Sequence, residues 1–94
     1  MIAIVTITYK APLDTVVEHT PDHRAYLAGL HKAGKLLASG PFVPRTGGAL
    51  LLRVADEAEV KAILEGDPFK QRGVADYDVR VWAPTFGADK LEAM

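Results

Sequence analysis

Apolar and polar positions along the 94 residues fall into runs of two different periods, and the switches between them mark the elements. Residues 2–9, IAIVTITY, are β-branched and aromatic, the composition of a strand. By alternation Ile2, Ile4, Thr6 and Thr8 share one face, and Ala3, Val5, Ile7 and Tyr9 the other. The first half of this strand is apolar on both faces, unlike a strand with one side in water. Ala11-Pro12 ends the run, and residues 13–20 are ambiguous between loop and a turn of helix. Thr20 reads as a cap, Pro21 as a first helical residue and Asp22 as a complement to the helix dipole, so a helix is expected to start there. Tyr26, Leu27, Leu30 and Ala33 follow at helical spacing, and Gly34 is the stop. His23, three residues before Tyr26 and four before Leu27, is placed on the inward face near the helix start.

Residues 35–43, KLLASGPFV, read as a buried strand ending at Gly40-Pro41. RTGG, 45–48, reads as the turn into a hairpin partner, ALLLRV, 49–54. Asp56 with Glu59 opens a helix over 56–65, striped by Val60, Ile63 and Leu64 and stopped by Gly66. A short helical turn at 68–72 and a last strand at 77–82, with Tyr77, Val79 and Val81 on one face, complete the core. The remainder, 85–94, is an extension with a short helix near 88–93.

That order, β-α-β-β-α-β with right-handed crossovers, predicts one α+β domain over 1–94. It is of the ferredoxin-like type, two helices on one face of a four-stranded antiparallel sheet. The first two strands carry apolar residues on the other face as well, and a monomer would leave them in water. Two copies are therefore expected to pair through these faces as a homodimer. The 49% hydrophobic content, against only 7% aromatic, points the same way.

Charge and composition narrow the function classes. The net charge is −1 with both signs interspersed, so the basic stripe of a nucleic-acid binder is missing. The absence of cysteine excludes disulfides, thiolate nucleophiles and thiolate metal sites. MIAIVTITYK has no basic leader region, and no apolar run reaches the roughly 18 residues that span a bilayer. A cytoplasmic protein without membrane contact is the expectation.

Two side chains suit acid–base work. His23 is a satisfied helical histidine or a general base, since imidazole titrates near neutrality. Asp67, between Gly66 and Pro68, is an N-cap or the carboxylate that orients His23 and balances its charge; one oxygen could serve each role. Ser39, the only serine, lacks the G-x-S-x-G setting of a nucleophile and reads as a substrate-orienting hydroxyl or a strand end. Phe42 and Phe69, in GPF and DPF, are apolar walls of a site or ordinary core. His19 and His23 have the four-residue spacing of metal ligands, but the expected cap at Thr20 leaves His19 outside the helix. His31 has no acidic companion and reads as a flanking or exposed residue. Gly47-Gly48 lacks the Lys-Ser/Thr of a phosphate loop. No metal or cofactor is expected.

Taken together, DHRAYLAGLHKAGKLLASGPF and GDPFKQRGVADYDVRVW resemble the YciI-like (YCII-related) family, over about residues 1–84. The resemblance implies a ferredoxin-like chain that dimerises as an α+β barrel, with a catalytic His-Asp pair matching His23 and Asp67 and a strand-end serine matching Ser39. One relative removes chloride from a chlorinated hydroxyquinone. The resulting expectation is a small dimeric lyase or isomerase acting on a small, cyclic or aromatic, oxygenated compound. Ser39 and the backbone around Gly40 would hold a substrate oxygen, between Pro41, Phe42 and Phe69. The rival expectation is a non-catalytic dimeric module that binds a small molecule or supports another enzyme.

Overall fold

The β-branched run at the N-terminus becomes β1 (Ile2–Tyr9), a central strand in a computed structural model that describes residues 1–94. After it come α1 (Leu13–Lys32), β2 (Leu36–Pro41), β3 (Gly47–Arg53), α2 (Glu57–Glu65), α3 (Pro68–Gln71), β4 (Ala75–Trp82) and α4 (Ala88–Ala93). The sheet order is β2-β3-β1-β4 with every pairing antiparallel, which is the ferredoxin-like arrangement expected. Opposite residues such as Val5, Leu50 and Val79 share a face, and on that face Val5 and Leu50 are buried. There they meet Val16 and Leu27 of α1, Val60, Ile63 and Leu64 of α2, and Phe69 of α3, forming one core.

The first helix differs from expectation. It starts at Leu13, immediately after Pro12, and Pro21 lies inside it. The reason is the stripe Val16, Thr20, His23, Leu27, spaced four, three and four apart and buried throughout. Thr20 does not cap; its hydroxyl donates back to the Val16 carbonyl at 2.7 Å. Pro21 offers no N–H and crowds the carbonyl one turn back, a cost of about 3 kcal/mol. Full burial of Val16 offsets a large share of this, at about 1.5–3 kcal/mol. At the other end Gly34, at φ +79°, closes the helix in a Schellman turn. There Lys35 N bonds Leu30 O at 3.0 Å and Gly34 N bonds His31 O at 3.1 Å.

The glycine pair at 47–48 is also not the turn. Both residues belong to β3, and the reversal lies before them, at 42–46. A Cβ on Gly47 would collide with the Ile7 carbonyl, and one on Gly48 with that of Gly40, so close strand approach is what requires glycine here. The capping at α2 follows expectation: Asp56 accepts from Glu59 N at 2.9 Å, while the Glu59 carboxylate accepts from Ala55 N at 3.0 Å.

The sheet face away from the helices divides in two. Over β1 and β3 it carries Ile4, Thr6, Ala49 and Leu51, all partly exposed; over β4 it carries Asp76, Asp78 and Arg80. At its end Arg53 donates to the carbonyls of Leu91 (3.1 Å), Glu92 (2.7 Å) and Met94 (2.7 Å), tying α4 to β3. No helix is long and apolar enough to cross a membrane.

Candidate active site

Gly66 ends α2, and the chain turns at Asp67 into α3, with Pro68 at the first helical position. Asp67 is the N-cap: its Oδ1 accepts from Phe69 N at 3.0 Å. The same oxygen lies 2.7 Å from His23 Nδ1, from α1 and 44 residues away. Oδ2 accepts from the Tyr77 hydroxyl of β4 at 2.7 Å. Three elements thus converge on one carboxylate that is only 1% exposed. Phe69 lies flat against the imidazole, with ring centroids 3.9 Å apart and planes within 4°. It stands at right angles to the Tyr9 ring, with centroids 6.2 Å apart.

An ionised carboxylate only accepts, so hydrogen-bond complementarity assigns the neutral imidazole's proton to Nδ1 and leaves the lone pair on Nε2. No buried side-chain nitrogen or oxygen lacks a partner. Nε2 makes no hydrogen bond within the chain and therefore keeps access to solvent. His23 lines a cleft of about 490 Å³ between α1 and the β2-β3-β1 part of the sheet. Ser39, Gly40, Pro41 and Phe69 line it too. Phe42 lies outside the lining and is 41% exposed.

His19 sits within α1, contrary to the expectation that it precedes the helix. Its Nδ1 faces Arg72 at 3.1 Å, and Arg72 also pairs with Asp22 at 2.8 Å. No cluster of three or more His, Cys, Asp or Glu residues is placed to hold a metal. His31 also lines the cleft, with Nδ1 2.8 Å from the Leu36 carbonyl. Sequence reasoning missed Tyr77 as a partner of Asp67, although its alternation with Val79 pointed it inward. It also missed Thr20, one turn before His23 on the same stripe, and Tyr9, Arg24 and Arg45, which line the cleft.

Burial pushes the Tyr77 hydroxyl far above the usual tyrosine range, reinforced by its bond to Asp67 and by that carboxylate's charge. Burial and the same charge raise Tyr26. A folded-state value above the unfolded one means that the folded chain holds its proton longer. The stabilisation is complete below the ordinary tyrosine value of 10.0 and is lost as pH rises beyond it. Urea midpoints measured upward from pH 10 are expected to fall steeply, and less steeply in Tyr77→Phe, with the Tyr77 tyrosinate, read as the absorbance difference between parent and Tyr77→Phe, appearing only on unfolding.

Among solved structures, the chain is similar to the 5-chloro-2-hydroxyhydroquinone dehydrochlorinase of Burkholderia phenoliruptrix, solved with 2,5-dihydroxybenzoquinone. The TM-score is 0.80 at 23% identity, over 92% of this chain and 97% of the other, a likeness of fold. No curated protein matches the sequence. The model of the YCII-related domain matches residues 1–83, and the chain therefore belongs to the YCII-related domain family.

Proposed function

We propose that this chain is a small lyase- or isomerase-type enzyme in which His23 and Asp67 move a proton on a small cyclic or aromatic oxygenated compound. The observation that carries the reading is His23 itself. Nδ1 is anchored 2.7 Å from a buried carboxylate, while Nε2 has no partner within the chain and His23 lines a cleft large enough for one ring. Nε2 takes a proton from a substrate hydroxyl or carbon, and Asp67 balances the imidazolium that results. Ser39 holds a substrate oxygen beside Gly40 and Pro41, and Phe69 supplies the apolar floor. Where a hydroxylated ring carries chlorine, a proton moved from one ring hydroxyl to the chlorine-bearing carbon makes that carbon tetrahedral. Loss of a second hydroxyl proton to His23 then expels chloride and leaves the quinone, a net loss of HCl that needs no oxidant or reductant. The likeness to the dehydrochlorinase makes hydroxylated chloroaromatics the first class to try.

The test is chloride release and quinone absorbance with 5-chloro-2-hydroxyhydroquinone and related chlorinated hydroquinones and catechols. Release above the buffer background supports the reading. No release, together with no movement of the His23 ring resonances on adding any of them, overturns it. The working unit in this proposal is a homodimer joined through Ile4, Ala49 and Leu51 of the open sheet face. Sedimentation at micromolar concentration is expected to give twice 10.1 kDa, and a one-chain mass removes the dimer from the proposal.

A further inference from the structure

The cleft has a second polar feature that the proton-transfer reading does not use. Arg45, in the reversal before β3, donates from Nε to the Tyr9 hydroxyl and from Nη2 to Thr20 Oγ1, each at 3.1 Å. Neither partner carries charge. The ion pairs of the chain join Lys10 to Asp76, His23 to Asp67, Lys35 to Glu59, Arg72 to Asp22 and Arg80 to Asp78. Arg45 takes part in none of them, nor does Arg24, which also lines the cleft, and no Asp or Glu lines it.

We propose that Arg45 is the substrate-binding cation of this cleft and that the substrate is a small organic anion, its carboxylate or ionised ring hydroxyl seated on the guanidinium within reach of His23. The substrate class deepens the proton-transfer reading, while the binding step stands apart from turnover. A guanidinium cannot shed its charge, and one that is partly buried without a counter-ion has lost hydration that two neutral hydroxyls replace only in part. Two of its five N–H groups are committed, leaving a planar set for a carboxylate-like group. Its placement is fixed from both sides. Thr20 is three residues from His23 on one stripe of α1, which sets neighbouring side chains about 5–6 Å apart at Cβ. Tyr9 packs perpendicular to Phe69, and Phe69 stacks on His23. An anion on Arg45 is thereby held in the same cleft and against the same helix face as His23, and the positive wall favours the charge that grows on a substrate as His23 removes its proton.

Calorimetric or NMR titration tests this with two anions and their uncharged counterparts: 2,5-dihydroxybenzoquinone against its dimethyl ether, and salicylate against salicylamide. At least one anion is expected to bind tenfold or more tightly than its counterpart, more weakly as salt rises. Arg45→Met should lower that affinity by tenfold to a hundredfold, the usual range for a charge-assisted bond, and Arg45→Lys by less. The fold should survive either change, because Thr20 keeps its bond to the Val16 carbonyl. His23→Ala should retain the Arg45-dependent binding even where it turns nothing over, which separates the two proposals. Equal affinity for anion and counterpart, no binding by either anion, or unchanged affinity in Arg45→Met overturns the inference.

Discussion

Asp67→Asn is expected to lower turnover about a hundred- to ten-thousand-fold while the fold stands, the range that general acid–base catalysis supplies. The amide has nearly the shape of the carboxylate. Its oxygen can keep the Phe69 N–H and His23 contacts at 3.0 and 2.7 Å, and its nitrogen can donate to the Tyr77 oxygen. What disappears is the negative charge beside an imidazole that must become positive. If the amide turns its nitrogen to His23 instead, Nδ1 becomes the acceptor, the ring proton moves to Nε2, and the base is lost outright. His23→Ala should fall in the same range, and the double variant should be no worse than the weaker single one, because the pair acts as a unit. The measurements are kcat/KM and the nitrogen shifts of His23, which report the tautomer. Asp67→Ala separates chemistry from folding: it strips the acceptor from three donors, each orphaned at about 1–3 kcal/mol. A stability loss of about 3–5 kcal/mol is expected from the urea midpoint, a large share of the 5–15 kcal/mol typical of a domain. Full activity in Asp67→Asn would remove the pair from the mechanism.

Elements written in local chemistry were legible. The strand composition of 2–9, the Asp56–Glu59 cap and the stops at Gly34 and Gly66 each depend on neighbours in sequence. The start of α1 misleads for the same reason, since Thr20-Pro21-Asp22 satisfies every local rule for a helix start. It is overruled by tertiary packing that pulls Val16 inward. Detecting the longer stripe requires counting Thr20 and His23 as inward residues, and a hydrophobic pattern passes over both. Gly47-Gly48 misleads in a related way: turn chemistry and close strand approach select the same residue, and only the neighbouring strands decide between them. In the site, His23 and Asp67 stand out by residue type and by family resemblance, yet their meeting across 44 residues depends on α1 packing against α3. Tyr77 points inward by alternation, but alternation does not reveal what its hydroxyl touches. Arg45 lies in a reversal with no periodicity, and nothing local marks it.

Phe69→Ala is the other large effect, expected to cost about 3–5 kcal/mol of stability and to weaken the site together with the fold. Phe69 is 2% exposed and sits in α3, a helix of four residues that local propensity alone could not hold. Two things fix α3 in place: the Asp67 cap and the Phe69 ring, wedged between the imidazole and Tyr9. Removing the ring opens a cavity against His23 and loosens the segment that carries Asp67, so the 2.7 Å contact loses its support from the other side. Phe69→Leu tells packing from stacking, because it restores most of the buried volume but not a flat surface parallel to the imidazole. Its stability should return to within about 1–2 kcal/mol of the parent, as other volume-conserving swaps do. Turnover should lag behind that recovery if the stacked ring is what aims Nε2 into the cleft. If urea midpoint and kcat recover together, close packing of any shape is enough to aim the base.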